Sequence, residues 1–206
     1  MFAPKSIQSN FSFREKLFSI DYILVSAILI LGITSMFAMY STAGGAFDYH
    51  TKSHITRFLI FFLFFFVVSF FNIKFWHQTS TLIYLFFFLL LLGVKYFGLT
   101  SSGSQRWINF YFMNLQPSEL MKIGVILFLA KYYGRMQTSD VNEVKHLFLP
   151  ISSLMAPVLL VVTQPDLGTS ILIAAGGAVV IWLAGVRIKF FAYLLISAQI
   201  AAWSSA

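Results

Sequence analysis

The side chains best suited to chemistry lie where two apolar segments of the sequence begin. Two Gln-Pro pairs, Gln116-Pro117 and Gln164-Pro165, each precede an apolar run and are followed by an acid. Proline is preorganised for the first helical position, and an acid there complements the helix dipole, so both pairs predict helix starts. With one arginine nearby, they define the candidate site residues: Arg106, Gln116, Glu119, Lys122 and Asp166.

Each of these residues has a structural and a functional interpretation, and the sequence leaves both open. Asp166 is expected either to cap a helix or to join Arg106 in an outward-facing polar cavity for an anionic headgroup. Arg106 is otherwise an interface anchor. Glu119 and Lys122 are three residues apart, so they can form an intrahelical ion pair or mark a functional site within the membrane.

The composition excludes an ordinary soluble domain. Hydrophobic residues make up 59% of the 206 residues and charged residues only 10%. The net charge of +7 does not indicate nucleic acid, because the basic residues lie at the ends of apolar runs, where they contact lipid headgroups. There is no cysteine, and the sequence contains no Walker loop, dinucleotide fingerprint or HExxH motif.

The hydropathy pattern predicts an all-α polytopic membrane protein with six to seven transmembrane helices. We divide the chain into a cytoplasmic tail, residues 1–20, and a membrane domain, residues 21–206. Polar loops are expected at 41–57, at a short turn containing Lys74, Trp76 and His77, and from Gly103 to the helix start at Gln116. The predicted spans are 22–40, 58–73, 81–94, 116–133, 147–163, 167–185 and the beginning of a seventh, 190–206.

The distribution of basic residues predicts the orientation. Alternate loops on one side carry nine Lys and Arg residues and those on the other side carry four, so the N-terminus is expected to be cytoplasmic. Arg106, Gln116 and Asp166 are then at the outer face. Within the spans, Pro157 is expected to kink the fifth helix, and Ala174 and Ala178 to permit close helix packing in the sixth.

A metal site is a weaker interpretation of the loop between the first two spans. Asp48, His50 and His54 are potential ligands, but their spacing alone is weak evidence, and a solvated loop is the default. No cofactor is identified from the sequence.

Three motifs, in their order and spacing, resemble those of the SEDS (shape, elongation, division and sporulation) family. They are Gly-Ser-Gln-Arg-Trp-Ile at 103–108, Gln-Pro-Ser-Glu-Leu-Met-Lys at 116–122 and Gln-Pro-Asp-Leu-Gly-Thr at 164–169. The Gln-Arg-Trp and Gln-Pro-Asp-Leu-Gly-Thr sequences resemble those of the RodA subfamily more than those of the FtsW subfamily. The hydropathy pattern of the family covers nearly the whole chain.

The resemblance implies a multi-pass protein of the bacterial cytoplasmic (inner) membrane that polymerises lipid II into glycan strands with a class B penicillin-binding protein. It implies headgroup or pyrophosphate contact for Arg106, and a polar cavity shaped by Glu119, Lys122 and Asp166, with Gln116 among the matching motif positions. It leaves a need for a divalent cation open. Two alternatives remain, a carrier of lipid-linked precursors and a scaffold that docks a partner through its Ala/Gly-rich sixth helix.

The resemblance also implies about ten spans, with the catalytic carboxylate in a large outer loop beyond Ala206. We therefore expect the purified 206-residue chain to form no glycan polymer by itself, or to need a second fragment. Incubation with labelled lipid II and separation of the products tests this, and a detectable polymer would contradict it.

Overall fold

The computed structural model describes residues 13–97, 99–101, 104–110, 113–137, 139–187 and 190. These residues belong to two compact units, Met1–Asn72 and Ile73–Ala206. Most of the predicted seventh span, 191–206, lies outside the described residues, as do Gly103 and Lys189.

The first unit contains three helices, α1 (Phe13–Phe18), α2 (Tyr22–Thr42) and α3 (Tyr49–Ser69). Lys16 Nζ donates a hydrogen bond to the carbonyl of Phe70 at 2.8 Å, which ties α1 to the end of α3. Gly32 of α2 lies against the Phe58 ring of α3, where a Cβ atom would be 2.1 Å from the ring. The two long helices therefore pack closely at Gly32, where a larger side chain would require the Phe58 ring to move.

The start of α3 corrects the sequence prediction for 41–57. Residues 49–57 are helical, because Asp48 is an N-cap whose carboxylate accepts from Thr51 N at 2.7 Å. This hydrogen bond lowers the pKa of Asp48 from 3.8, so the cap is ionised at neutral pH. His54 in turn shares a 2.8 Å hydrogen bond with Ser35. Among the residues described here, no group of three or more His, Cys, Asp or Glu side chains is arranged to hold a metal.

The second unit contains four longer helices and a small sheet. The helices are α4 (Ile73–Phe97), α5 (Pro117–Gly134), α6 (Val144–Val162) and α7 (Leu167–Leu183). Between α4 and α5, the strands β1 (Leu99–Ser101), β2 (Ser104–Phe110) and β3 (Met113–Leu115) form an antiparallel sheet in the order β1-β2-β3.

Two further loop predictions are therefore wrong. Lys74, Trp76 and His77 lie in the first turns of α4, and the chain turns at 70–72 instead. Most of the described residues in the predicted loop before Gln116 belong to strands β2 and β3. Pairing gives their backbone N–H and C=O groups partners close to the apolar helices, where free groups are costly.

Helix α5 is central to the second unit, since it packs against α4, α6 and α7. Met121 and Leu129 of α5 are fully buried, together with Leu91 of α4 and Val161 of α6. On α7, Ala174 packs against this core, and Gly177 lies so close to α6 that a Cβ there would be 2.4 Å from the Leu154 side chain. Close backbone packing at Ala174 and Ala178 stays a prediction. A tight helix contact was expected from the Ala/Gly composition, and only the structure locates it.

The six helices α2 to α7 correspond to the six complete spans that the sequence predicts, and they make this a polytopic helical membrane fold. Four are long and apolar enough to cross a membrane by composition: Tyr22–Thr42, Tyr49–Ser69, Ile73–Val94 and Val144–Val162. Helix α7 is apolar but shorter, and α5 carries Glu119, Lys122 and Lys131.

Helix α6 continues through Pro150 and Pro157, and each proline removes one backbone hydrogen bond. In a regular helix the amide of residue 157 would donate to the carbonyl of Ser153. Tyr84 of α4 supplies the missing donor, with its hydroxyl 2.7 Å from Ser153 O. A bend at Pro157 stays a prediction.

A tyrosine also replaces the missing donor at Pro150, earlier in α6. Pro150 leaves the carbonyl of His146 without its helical donor, and the Tyr132 hydroxyl of α5 donates to it at 3.0 Å. Two tyrosines on neighbouring helices thus satisfy the carbonyls that the two prolines expose, and they hold α6 against α4 and α5.

We expect Tyr84→Phe to destabilise the protein by about 1–3 kcal/mol, because it leaves the Ser153 carbonyl buried without a donor. In a Pro157→Ala background the helix provides its own N–H, so the same substitution should cost much less. Unfolding of the four variants in detergent measures this coupling. Tyr49→Phe, at an exposed tyrosine, is the control. An equal loss of stability from Tyr84→Phe in the wild-type and Pro157→Ala backgrounds would show that Tyr84 does not replace the missing donor.

Candidate functional site

Asp166 occupies the N-cap of α7. Its carboxylate accepts from Thr169 N at 3.2 Å and from Thr169 Oγ1 at 2.9 Å. The side chain is only 12% exposed. The capping interpretation of Asp166 is therefore correct, and the carboxylate has a fixed position at the start of the helix.

Arg106, on strand β2, reaches the turn that connects α6 to α7. Its Nε donates to the carbonyl of Gln164 at 3.0 Å, and Nη2 donates to the carbonyl of Pro165. Its Nη1 lies 3.9 Å from Asp166 Oδ2. The planar guanidinium binds two adjacent carbonyls while it faces the carboxylate of the next residue, which its several donors allow.

Gln116 brings a third element to the same carboxylate. It is the N-cap residue of α5, but its side chain makes no capping hydrogen bond. Instead its Nε2 donates to Asp166 Oδ2 at 2.9 Å. The two Gln-Pro helix starts predicted from the sequence therefore meet, and Asp166 joins the first residues of α5 and α7.

We call Arg106, Gln116 and Asp166 the outer cluster, after the side of the membrane on which the sequence predicts them. One oxygen of Asp166, Oδ2, accepts from Thr169 and Gln116 and also faces Arg106. Through these contacts the carboxylate links three elements, namely β2, the start of α5 and the start of α7. Arg106 is 30% exposed, so the cluster is not fully buried.

Glu119 and Lys122 do not join this cluster. Their side chains form an ion pair of 2.8 Å on one face of α5, with Lys122 26% exposed and Glu119 53% exposed. Each makes its ion pair with the other, as the intrahelical interpretation predicts. The structure thus brings together three of the five candidate residues and places the other two in the first two turns of α5.

Sequence reasoning missed two contributors to this site. Thr169 donates twice to Asp166, and Gln164 supplies a carbonyl to Arg106 while its own buried Nε2 donates to Leu91 O at 3.4 Å. The Asp-x-x-Thr spacing was a usable signal for Thr169, because a side chain three residues after an N-cap can bond back to it. The contact of Gln164 depends on α4, and no local pattern indicates it.

The chain is similar in sequence to proteins that are named as peptidoglycan glycosyltransferases. The chain is 30% identical over 203 residues to a probable peptidoglycan glycosyltransferase FtsW of Buchnera aphidicola, covering 94% of this chain and 51% of the relative. It is 38% identical over 122 residues to peptidoglycan glycosyltransferase MrdB of Escherichia coli, covering 57% of this chain and 32% of the relative. The chain spans about half the length of the first relative.

The fold is also similar to a solved one. A chain of a peptidoglycan synthase complex, described as coordinating polymerization and crosslinking, superposes with a TM-score of 0.76 and 23% identity. The match covers 89% of this chain and 53% of the other. This likeness confirms the polytopic helical fold.

The family profile of the FtsW, RodA and SpoVE proteins, described as cell cycle proteins, matches residues 15–205. This range includes all three motifs on which the resemblance was based, at 103–108, 116–122 and 164–169. The prediction of the family is confirmed: the chain belongs to the FtsW/RodA/SpoVE, or SEDS, family.

Proposed function

We propose that this chain forms part of a peptidoglycan glycosyltransferase that polymerises lipid II in the bacterial cytoplasmic membrane. The observation that carries the proposal is the outer cluster, which joins all three family motifs around the Asp166 carboxylate. The relatives that match the chain over these motifs are named as peptidoglycan glycosyltransferases.

The reaction needs groups that the outer cluster and its neighbours can partly provide. A sugar hydroxyl attacks the anomeric carbon of a second lipid-linked sugar, that carbon's bond to the pyrophosphate oxygen breaks, and the hydroxyl proton passes to a base. The departing pyrophosphate needs positive charge nearby. Arg106 and Lys122 are the cations of the motif residues, and both side chains are partly exposed.

Asp166 is better suited to positioning than to proton transfer. Its carboxylate is mostly buried and accepts from three donors, so its lone pairs are directed at Thr169 and Gln116. We assign Asp166 and Gln116 to holding the helix starts, and Arg106 to holding the turn while its exposed side faces the substrate. Glu119 orients Lys122 through their ion pair.

We further propose the RodA role, in cell-wall elongation and control of cell shape, with a class B penicillin-binding protein as the partner. The Gln-Arg-Trp and Gln-Pro-Asp-Leu-Gly-Thr sequences of the first and third motifs support the RodA role. The likeness to a chain of a peptidoglycan synthase complex supports a partner synthase.

A chimera tests the activity, because the chain spans part of its relatives. The chain replaces the matching segment of Escherichia coli MrdB, and membranes carrying the chimera and a class B penicillin-binding protein receive labelled lipid II. We expect glycan polymer. Movement of lipid II across the membrane without any polymer would support a precursor carrier instead, and neither activity would favour a scaffold.

In this chimera, Asp166→Asn should reduce polymer formation about tenfold to a hundredfold, because small misplacements of an active site have effects of that size. Asparagine still caps α7, so thermal unfolding should change little. Asp140→Asn, at a charge in the loop between α5 and α6, is the matched control. Full activity of the Asp166→Asn chimera would overturn the role of the outer cluster.

A further inference from the structure

A second polar site lies at the opposite end of α5. It is a cavity of about 350 Å³ between α4, α5 and α6. Residues 116 and 131 are separated by about 22 Å along the helix axis, at 1.5 Å per residue, so this cavity is distinct from the outer cluster. Its lining comprises Thr81, Phe128, Lys131, Tyr132, Arg135, Met136, His146 and Leu149.

Two basic residues, Lys131 and Arg135, line the cavity. Lys131 Nζ donates to the carbonyl of Gln78 at 2.9 Å and to Thr81 Oγ1 at 3.0 Å, which fixes its position between α4 and α5. Arg135 is the exposed C-cap residue of α5. Within the part of the chain that the structure describes, no carboxylate forms an ion pair with Lys131 or Arg135.

Glu143, the N-cap residue of α6, already has a basic partner. Glu143 lies 3.7 Å from His146 Nε2, but its carboxylate forms a 2.7 Å ion pair with Lys145. The charge that the cavity presents is therefore positive. A phosphate group fits it better than a cation or a neutral polar group.

The rest of the lining is apolar. Phe128, Met136 and Leu149 supply hydrocarbon surface, and the Tyr132 hydroxyl is turned to the His146 carbonyl that Pro150 leaves free. A cationic rim beside an apolar wall, at the end of membrane helices, matches a molecule with an anionic head and a hydrocarbon tail. Basic pockets between transmembrane helices on the cytoplasmic side bind such lipids.

We propose that this cavity is a binding site for an anionic glycerophospholipid of the cytoplasmic leaflet. Lys131 and Arg135 contact the headgroup phosphate, and an acyl chain lies along Phe128 and Leu149. The loops of this end carry most of the basic residues and are predicted to be cytoplasmic, where anionic lipid is attracted to basic side chains. The bound lipid would link α4, α5 and α6 at the end remote from the outer cluster.

The experiment uses the full chain in nanodiscs of equal phosphatidylglycerol and phosphatidylcholine, with the retained lipid identified by native mass spectrometry. We expect phosphatidylglycerol to be enriched. Arg135→Gln should reduce that enrichment roughly tenfold, because it removes a charge-assisted hydrogen bond to the headgroup phosphate. Lys131→Gln should reduce it similarly, but it also removes contacts with α4, so Arg135→Gln is the decisive variant.

Arg187→Gln is the matched control, because it removes one exposed charge at the same predicted membrane side without touching the cavity. It should leave the enrichment within twofold of the wild type. An equal effect of both arginine variants would show attraction by net charge only and overturn the site. Displacement of the lipid by excess inorganic phosphate would also overturn it, because the apolar wall would then contribute nothing.

Discussion

The need to give every buried carbonyl a donor is the constraint on which the second unit depends. Two prolines interrupt the hydrogen bonds of α6, and no water is available in an apolar layer to replace them. Tyr84 and Tyr132 donate to the carbonyls that the prolines expose, at 2.7 and 3.0 Å. These two contacts fix where α6 lies against α4 and α5, and therefore where the turn that follows α6 is placed.

The same constraint shapes the outer cluster. The turn between α6 and α7 exposes the carbonyls of Gln164 and Pro165, and Arg106 binds both. At the start of α7, the backbone N–H of Thr169 donates to Asp166. Structure and function are thus hard to separate at this site, because the groups that satisfy the backbone are also the charged groups of the family motifs.

This overlap explains why the interpretations that the sequence left open for Asp166 and Arg106 are not exclusive. Asp166 caps a helix and also accepts from Gln116 of another helix. Arg106 binds backbone carbonyls and remains partly exposed. Glu119 and Lys122 differ, since a solvent-accessible ion pair within one turn contributes only about 0.2–0.5 kcal/mol.

The sequence by itself determined the helices and the family. Long apolar runs predict spans because a helix satisfies its own backbone within one segment, and α2, α5 and α7 begin within one residue of the predicted starts. The motifs at 103–108, 116–122 and 164–169 identified the family without any coordinates. Only the tertiary structure decided that Gln116 donates to Asp166 across 50 residues, and that Tyr84 serves a carbonyl 69 residues away. Contacts of this kind depend on which helices are neighbours, and packing, unlike local periodicity, leaves no repeat in the sequence from which to infer them.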